Sequence, residues 1–121
     1  MTESEWTQLL CRHMRAQGAI IYPLVGSQYA SGWPDRLVLW GDRAFLVEFK
    51  SKDGKFTNNQ RAMFRRIQAT YCYIFVARVI SGKSMVDCKI QVENIEGKIL
   101  WQCSGNSILV GLTRSNLEDV L

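Results

Sequence analysis

The sequence is poor in the residues that build most metal and acyl-transfer sites. It has one histidine, His13, in 121 residues. This argues against His-rich metal sites and His-dependent acyl-transfer triads. Its four cysteines, Cys11, Cys72, Cys88 and Cys103, lie far apart and form no C-x-x-C. They read as reduced thiols of a cytosolic protein rather than as a zinc site or a disulfide framework. No run of eighteen apolar residues exists, so no membrane span is expected. The acidic start Met1-Thr2-Glu3-Ser4-Glu5 predicts no secretory signal. Repeats, linkers and low-complexity stretches are also lacking. Hydrophobic residues at 47% and charged residues at 21% describe an ordinary folded chain. The length predicts a single domain over residues 1–121, with a core over 1–80 and a C-terminal extension over 81–121.

Charge is distributed unevenly. The net charge is +4. From Arg12 to Lys83 there are twelve Lys and Arg against four Asp and Glu, while the two ends are acidic. A basic centre suits a polyanionic partner; a solvated basic helix is the other reading of the same charges.

Hydrophobic spacing places the elements. Trp6, Leu9, Leu10 and Met14 predict a helix over Glu3 to Gln17, ended by Gly18. Ala19 to Val25 is a β-type run that Pro23 confines to an edge or a bulge. Residues 26–34 are a loop of small and polar side chains. Two strands, Arg36 to Trp40 and Arg43 to Lys50, flank the hairpin signal Gly41-Asp42. Thr57 to about Thr70 predicts a helix with Phe56, Gln60, Met63, Phe64 and Ile67 along one side. Cys72 to Ile80 is a nearly continuous apolar strand. Both faces of the hairpin are apolar, which calls for a layer on each side of the sheet. Beyond Gly82 the pattern weakens to short strands near 86–92, 98–103 and 108–112, then a capping-box helix start at Ser115-Asn116-Leu117-Glu118. This last third either extends the sheet or makes an oligomer contact.

The hairpin register carries the chemistry. With Gly41-Asp42 as the turn, Trp40 pairs with Arg43, and counting back sets Asp35 opposite Glu48. Directly opposed residues have Cβ atoms about 4.5–5.5 Å apart, so the two carboxylates repel. Lys50 falls on the same face by period-two alternation. Two acids and a lysine at the open end of a hairpin suit Mg²⁺, with Mn²⁺ as a substitute, held by Asp35, Glu48 and the backbone carbonyl of Phe49. The ammonium of Lys50 can then stabilise charge on a phosphodiester or hold the attacking water. The structural alternative is a salt bridge of Lys50 with Glu48 or Asp35 on a solvated strand end.

The set Gly32-Trp33-Pro34-Asp35, Glu48-Phe49-Lys50, Gly54 and Gln60 resembles the virus-type replication-repair nuclease (VRR-NUC) family of the PD-(D/E)xK nuclease superfamily. The resemblance spans Glu3 to about Val79. It implies a restriction-endonuclease-like α/β fold with an α-β-β-β-α-β core, a central mixed sheet flanked by helices, and here a C-terminal β-rich extension. It implies Asp35 and Glu48 as metal ligands, Lys50 as the catalytic lysine, and Gln60 facing the site from the second helix. Gln60 is also the fourth residue of a capping box, and the two readings are not exclusive. An acid on the first helix is a further ligand in that family, which brings in Glu3, although an acid there also compensates the helix dipole.

The implied activity is a Mg²⁺-dependent endonuclease acting on DNA, as a homodimer resolving four-way (Holliday) junctions in repair or recombination. The alternatives are a nuclease for flaps, single strands or plain duplex, and a non-catalytic nucleic-acid-binding module. Lys52, Lys55, Arg61 and Arg65 are expected to neutralise phosphates, and Ser27 and Gln28 to touch the nucleic acid. No nucleotide cofactor or membrane is expected. The expected location is cytoplasmic: the bacterial cytosol, or the host cytoplasm for a phage or other viral protein.

Overall fold

The computed structural model describes residues 2–24, 32–70, 72–81 and 89–104. Helix α1 (Glu3–Ala16) is followed by β1 (Ile20–Pro23), β2 (Arg36–Trp40), β3 (Arg43–Ser51), α2 (Asn58–Gln68), β4 (Ile74–Ser81), β5 (Lys89–Glu93) and β6 (Ile99–Ser104). The six strands form one mixed sheet in the order β1-β2-β3-β4-β5-β6. All neighbours are antiparallel except β3 and β4. A parallel pair needs a crossover, and α2 supplies it.

Each helix is delimited by its own sequence. Thr2 caps α1 by accepting from the N–H of Glu5 at 3.1 Å. At the other end Gly18 N–H donates to Arg15 O and Ala19 N–H to Met14 O, closing a Schellman motif. Helix α2 opens with a reciprocal capping box between Thr57 and Gln60. It is shorter than the expected span because Thr57 lies outside it as the cap, and Thr70 lies beyond it, bonding back to Ile67 O.

The sheet is apolar on both faces, as the hairpin pattern requires. One face buries Val38, Trp40, Phe45, Val47, Phe49, Phe75 and Ala77 against Trp6, Leu10, Cys11 and Met14 of α1. The other buries Leu46 and Ile74 against Phe64 and Ile67 of α2. Burial of side chains this large contributes about 1.5–3 kcal/mol each. Edge strand β1 ends at Pro23, which lacks an N–H for further pairing.

The C-terminal third departs from an ambiguous pattern to a definite one. Strands β5 and β6 extend the sheet, and Ile90 and Val92 join the α1-side core. The expected strand near 108–112 and helix start at 115–118 lie outside the described residues, as do Ser27, Gln28 and Cys88. Cys11 is buried and Cys72 half-buried, both as free thiols. Burial pushes both thiols above their ordinary range. Among the described residues no helix is long and apolar enough to cross a membrane.

Candidate functional site

Strand register brings the site together. Arg36 pairs with Val47, so Asp35 stands one step further on beside Glu48. Glu48 in turn pairs with Val76 of β4, and Val76 with Glu93 of β5. Two residues along, Lys50 pairs with Arg78, and Arg78 with Gln91. Paired residues share a face. These two rows therefore lie side by side on the α2 face and carry most of its charge.

Asp35 and Glu48 are tied together through the backbone. Asp35 N–H donates to Glu48 Oε1 at 3.1 Å, and Phe49 N–H donates to Asp35 Oδ2 at 3.0 Å. Gln60 Nε2 donates to Glu48 Oε2 at 3.1 Å, and Lys50 Nζ lies 3.4 Å from the same oxygen. The expected Glu48–Lys50 ion pair is present, but not on a solvated strand end. Glu48 is 2% exposed. Burial, and next the Asp35 carboxylate, push its carboxyl up to about 7, while Lys50 pulls it down. As plain structure, a buried acid facing a second acid is unfavourable. Hard oxygen donors in this arrangement suit a divalent cation, whose charge would offset the repulsion. Each carboxylate has roughly four lone-pair positions. The bonds present thus leave acceptor capacity for a metal on both.

Gln60 both caps α2 and faces Glu48. Its Oε1 accepts from Thr57 N–H at 3.0 Å to close the capping box. Its Nε2 holds Glu48. A side-chain amide carries an acceptor and a donor on one plane, which permits this.

The two motif glycines stand at close approaches, the tighter one at Gly32. A Cβ on Gly32 would lie 2.9 Å from Asn59 Nδ2 and 3.1 Å from Asn59 O, and its φ is +81°. This contact seats the Trp33-Pro34-Asp35 segment against the first turn of α2, and Pro34 is fully buried there. A Cβ on Gly54 would lie 3.2 Å from Lys50 Cδ.

Arg36 points to the other face. It donates to Asp35 O at 3.0 Å and lies beside Cys11 of α1. Glu3 opens α1, the helix packed on that opposite face, and its side chain lies outside the described residues. Among the described residues no three His, Cys, Asp or Glu side chains cluster as a metal group. The candidate centre among the described side chains is the Asp35–Glu48 pair.

The expected basic residues Lys52, Lys55, Arg61 and Arg65 are exposed. A cleft of about 360 Å³ is lined by Lys55, Phe56, Arg61, Arg65, Arg78 and Glu96, among others. Lys52 borders a more open hollow with Lys55 and Ile80. The Phe56 ring connects cleft and centre, with Lys50 Nζ 5.4 Å and Arg61 Cζ 6.0 Å from its centroid.

Sequence reasoning missed Arg78 and Glu93. Half-buried Arg78 and buried Glu93 form an ion pair at 2.8 Å, with Arg78 paired to Lys50 across the β3–β4 ladder. The available signal was one arginine inside the otherwise apolar run Cys72 to Ile80.

The fold is a mixed α/β sheet with a helix on each side and an acid–acid–lysine cluster at the end of its central hairpin. Comparison with known protein families and with curated proteins finds no match for this chain.

Proposed function

We propose that this chain is a Mg²⁺-dependent, structure-specific DNA endonuclease of the PD-(D/E)xK type, cleaving four-way junctions as a homodimer. One observation carries the reading. Asp35, Glu48 and Lys50 converge on one face at the end of β3, with Glu48 buried and oriented by Gln60. In this reading α1 to β4 form the nuclease core, and β5 and β6 extend it.

Asp35, Glu48 and the Phe49 carbonyl would hold the ion. Mg²⁺ there supplies positive charge that polarises a phosphoryl oxygen and lowers the pKa of water. The chain's own groups do the rest. The Phe49 N–H and Gln60 Nε2 fix the orientation of the two carboxylates. Lys50 presents a fixed positive charge beside the pair, where a phosphodiester gathers negative charge in its transition state. Lys52, Lys55, Arg61 and Arg65 supply sequence-independent attraction for the DNA backbone. Among the described residues the chain has one such centre, so cutting two strands of a junction calls for a symmetric pair. The junction as substrate is supported by the resemblance of the motif set to a family whose small stand-alone members resolve junctions.

The test is cleavage of a labelled four-way junction and a matched linear duplex, with Mg²⁺ and with EDTA, beside Lys50→Ala. Paired nicks on the junction alone, lost with EDTA and with the variant, support the proposal. Cutting of both substrates replaces the junction by a broader nuclease specificity. Binding without cutting in Mg²⁺ or Mn²⁺ points to a non-catalytic nucleic-acid-binding module.

A further inference from the structure

The Arg78–Glu93 ion pair has no part in the chemistry above, yet its hydrogen bonds lead to Lys50. Arg78 Nε donates to Glu93 Oε2 at 2.8 Å, and Gln91 Nε2 donates to the same oxygen at 3.0 Å. Glu93 is 6% exposed. On its other side the guanidinium collects the turn after β3. Nη1 donates to Ser51 O at 2.8 Å and Gly54 O at 2.6 Å, with Lys52 O at 3.5 Å.

That turn wraps Lys50. Gly54 lies close against its Cδ, where a Cβ would sit at 3.2 Å. The carbonyl of Lys55 accepts from Nζ at 3.4 Å, and the Phe56 ring lies beneath the ammonium. A lysine stem is flexible and its ammonium is strongly hydrated, so the surroundings decide where it points. Arg78 is half-buried in an otherwise apolar strand, and its guanidinium bonds to Glu93 on one side and to the backbone of the turn on the other.

We propose that Arg78 and Glu93 are positioning residues: buried Glu93 immobilises Arg78, which gathers the carbonyls of the 51–55 turn and so holds Lys50 beside Glu48. Calling Lys50 catalytic rests on the nuclease reading; the positioning itself does not. Arg78 acts on backbone oxygens rather than on phosphate. Lysine cannot replace it, because an ammonium lacks the planar fork that spans Glu93 and two carbonyls.

The experiment compares full-length Arg78→Lys and Glu93→Gln with wild type in three readouts: cleavage kinetics, binding of a short DNA duplex, and the NMR resonances of Lys50. The Phe56 ring shifts the Lys50 side-chain protons upfield, which reports the position of the side chain whether or not the protein cleaves DNA. Arg78→Lys is expected to lower kcat about 10- to 100-fold with KM and duplex binding unchanged, because a displacement near 1 Å costs that much. Its Lys50 resonances should move toward those of a free lysine. Glu93→Gln, which still accepts from Nε, should show a smaller change of the same kind and provides the test if Arg78→Lys fails to fold. Unchanged kcat and unchanged Lys50 resonances in a folded variant overturn the proposal. So does a loss of kcat that leaves the Lys50 resonances in place. If wild type cleaves nothing, the nuclease reading fails and the Lys50 resonances alone decide the positioning.

Discussion

Asp35 and Glu48 are locked to each other through the main chain. The Asp35 N–H is bonded to the Glu48 carboxylate, and the Asp35 carboxylate to the N–H of Phe49, the residue after Glu48. Two acids that repel are therefore held side by side without rotational freedom to separate. The strain is electrostatic, and it makes the pair sensitive to protons and cations.

Stability should depend on pH through Glu48. Its carboxyl is raised from 4.5 in the free residue to about 7 in the fold. The folded state thus binds its proton more tightly than the unfolded chain. The associated stability is complete below about 4.5 and is lost as pH rises through about 7. The loss is on the order of 3 kcal/mol at most. Thermal unfolding with chelator at pH 5 and pH 8 measures it, and Glu48→Gln should flatten the dependence. Added Mg²⁺ should raise Tm more at pH 8 than at pH 5, since the ion requires the ionised acid.

Gln60 and Thr57 separate capping from site geometry. Thr57→Ala removes a cap hydrogen bond and should cost about 1 kcal/mol of stability with cleavage retained. Gln60→Ala removes its half of the cap and also the bond that orients Glu48. It should cost similar stability and lower kcat about 10-fold or more, as loss of a group supporting a metal ligand does. Unfolding and single-turnover cleavage, measured on both variants, check the difference. Equal kcat in the two would remove Gln60 from the site.

Arg61 and Arg65 are expected to serve affinity rather than chemistry. They are exposed on α2 at the cleft. Replacing each with Ala should lower the slope of log K against log salt by about one for each phosphate that is no longer neutralised. Fluorescence anisotropy across a salt series is the measurement. Under saturating DNA kcat should be unchanged.

Gly32 should not tolerate a side chain. Its positive φ costs an L-residue about 1–2 kcal/mol, and Asn59 at 2.9 Å adds a clash. Gly32→Ala should lower Tm and, by pushing the Trp33-Pro34-Asp35 segment off α2, weaken Mg²⁺ binding. Calorimetric titration of Mg²⁺ into the variant tests the second effect.

The chain's local chemistry determined the frame of this protein. Gly41-Asp42 set the turn, period-two alternation did the rest, and Asp35 came out opposite Glu48 with Lys50 on the same face. The stop of α1 at Gly18 and the start of α2 at its capping box were equally legible, because caps and glycine stops act over a few residues, whereas the C-terminal end of α2, which has no glycine, was not. Tertiary structure alone decided what surrounds that frame. The two weak C-terminal strands became β5 and β6 by pairing in turn, β5 onto β4 and β6 onto β5, which short runs of apolar residues do not encode. Gln60 acquired its second role only when α2 crossed the sheet above Glu48. Arg78 and Glu93 met the turn beside Lys50 through the β3–β4–β5 register, and pairings between strands distant in sequence leave no trace in the spacing of any one of them.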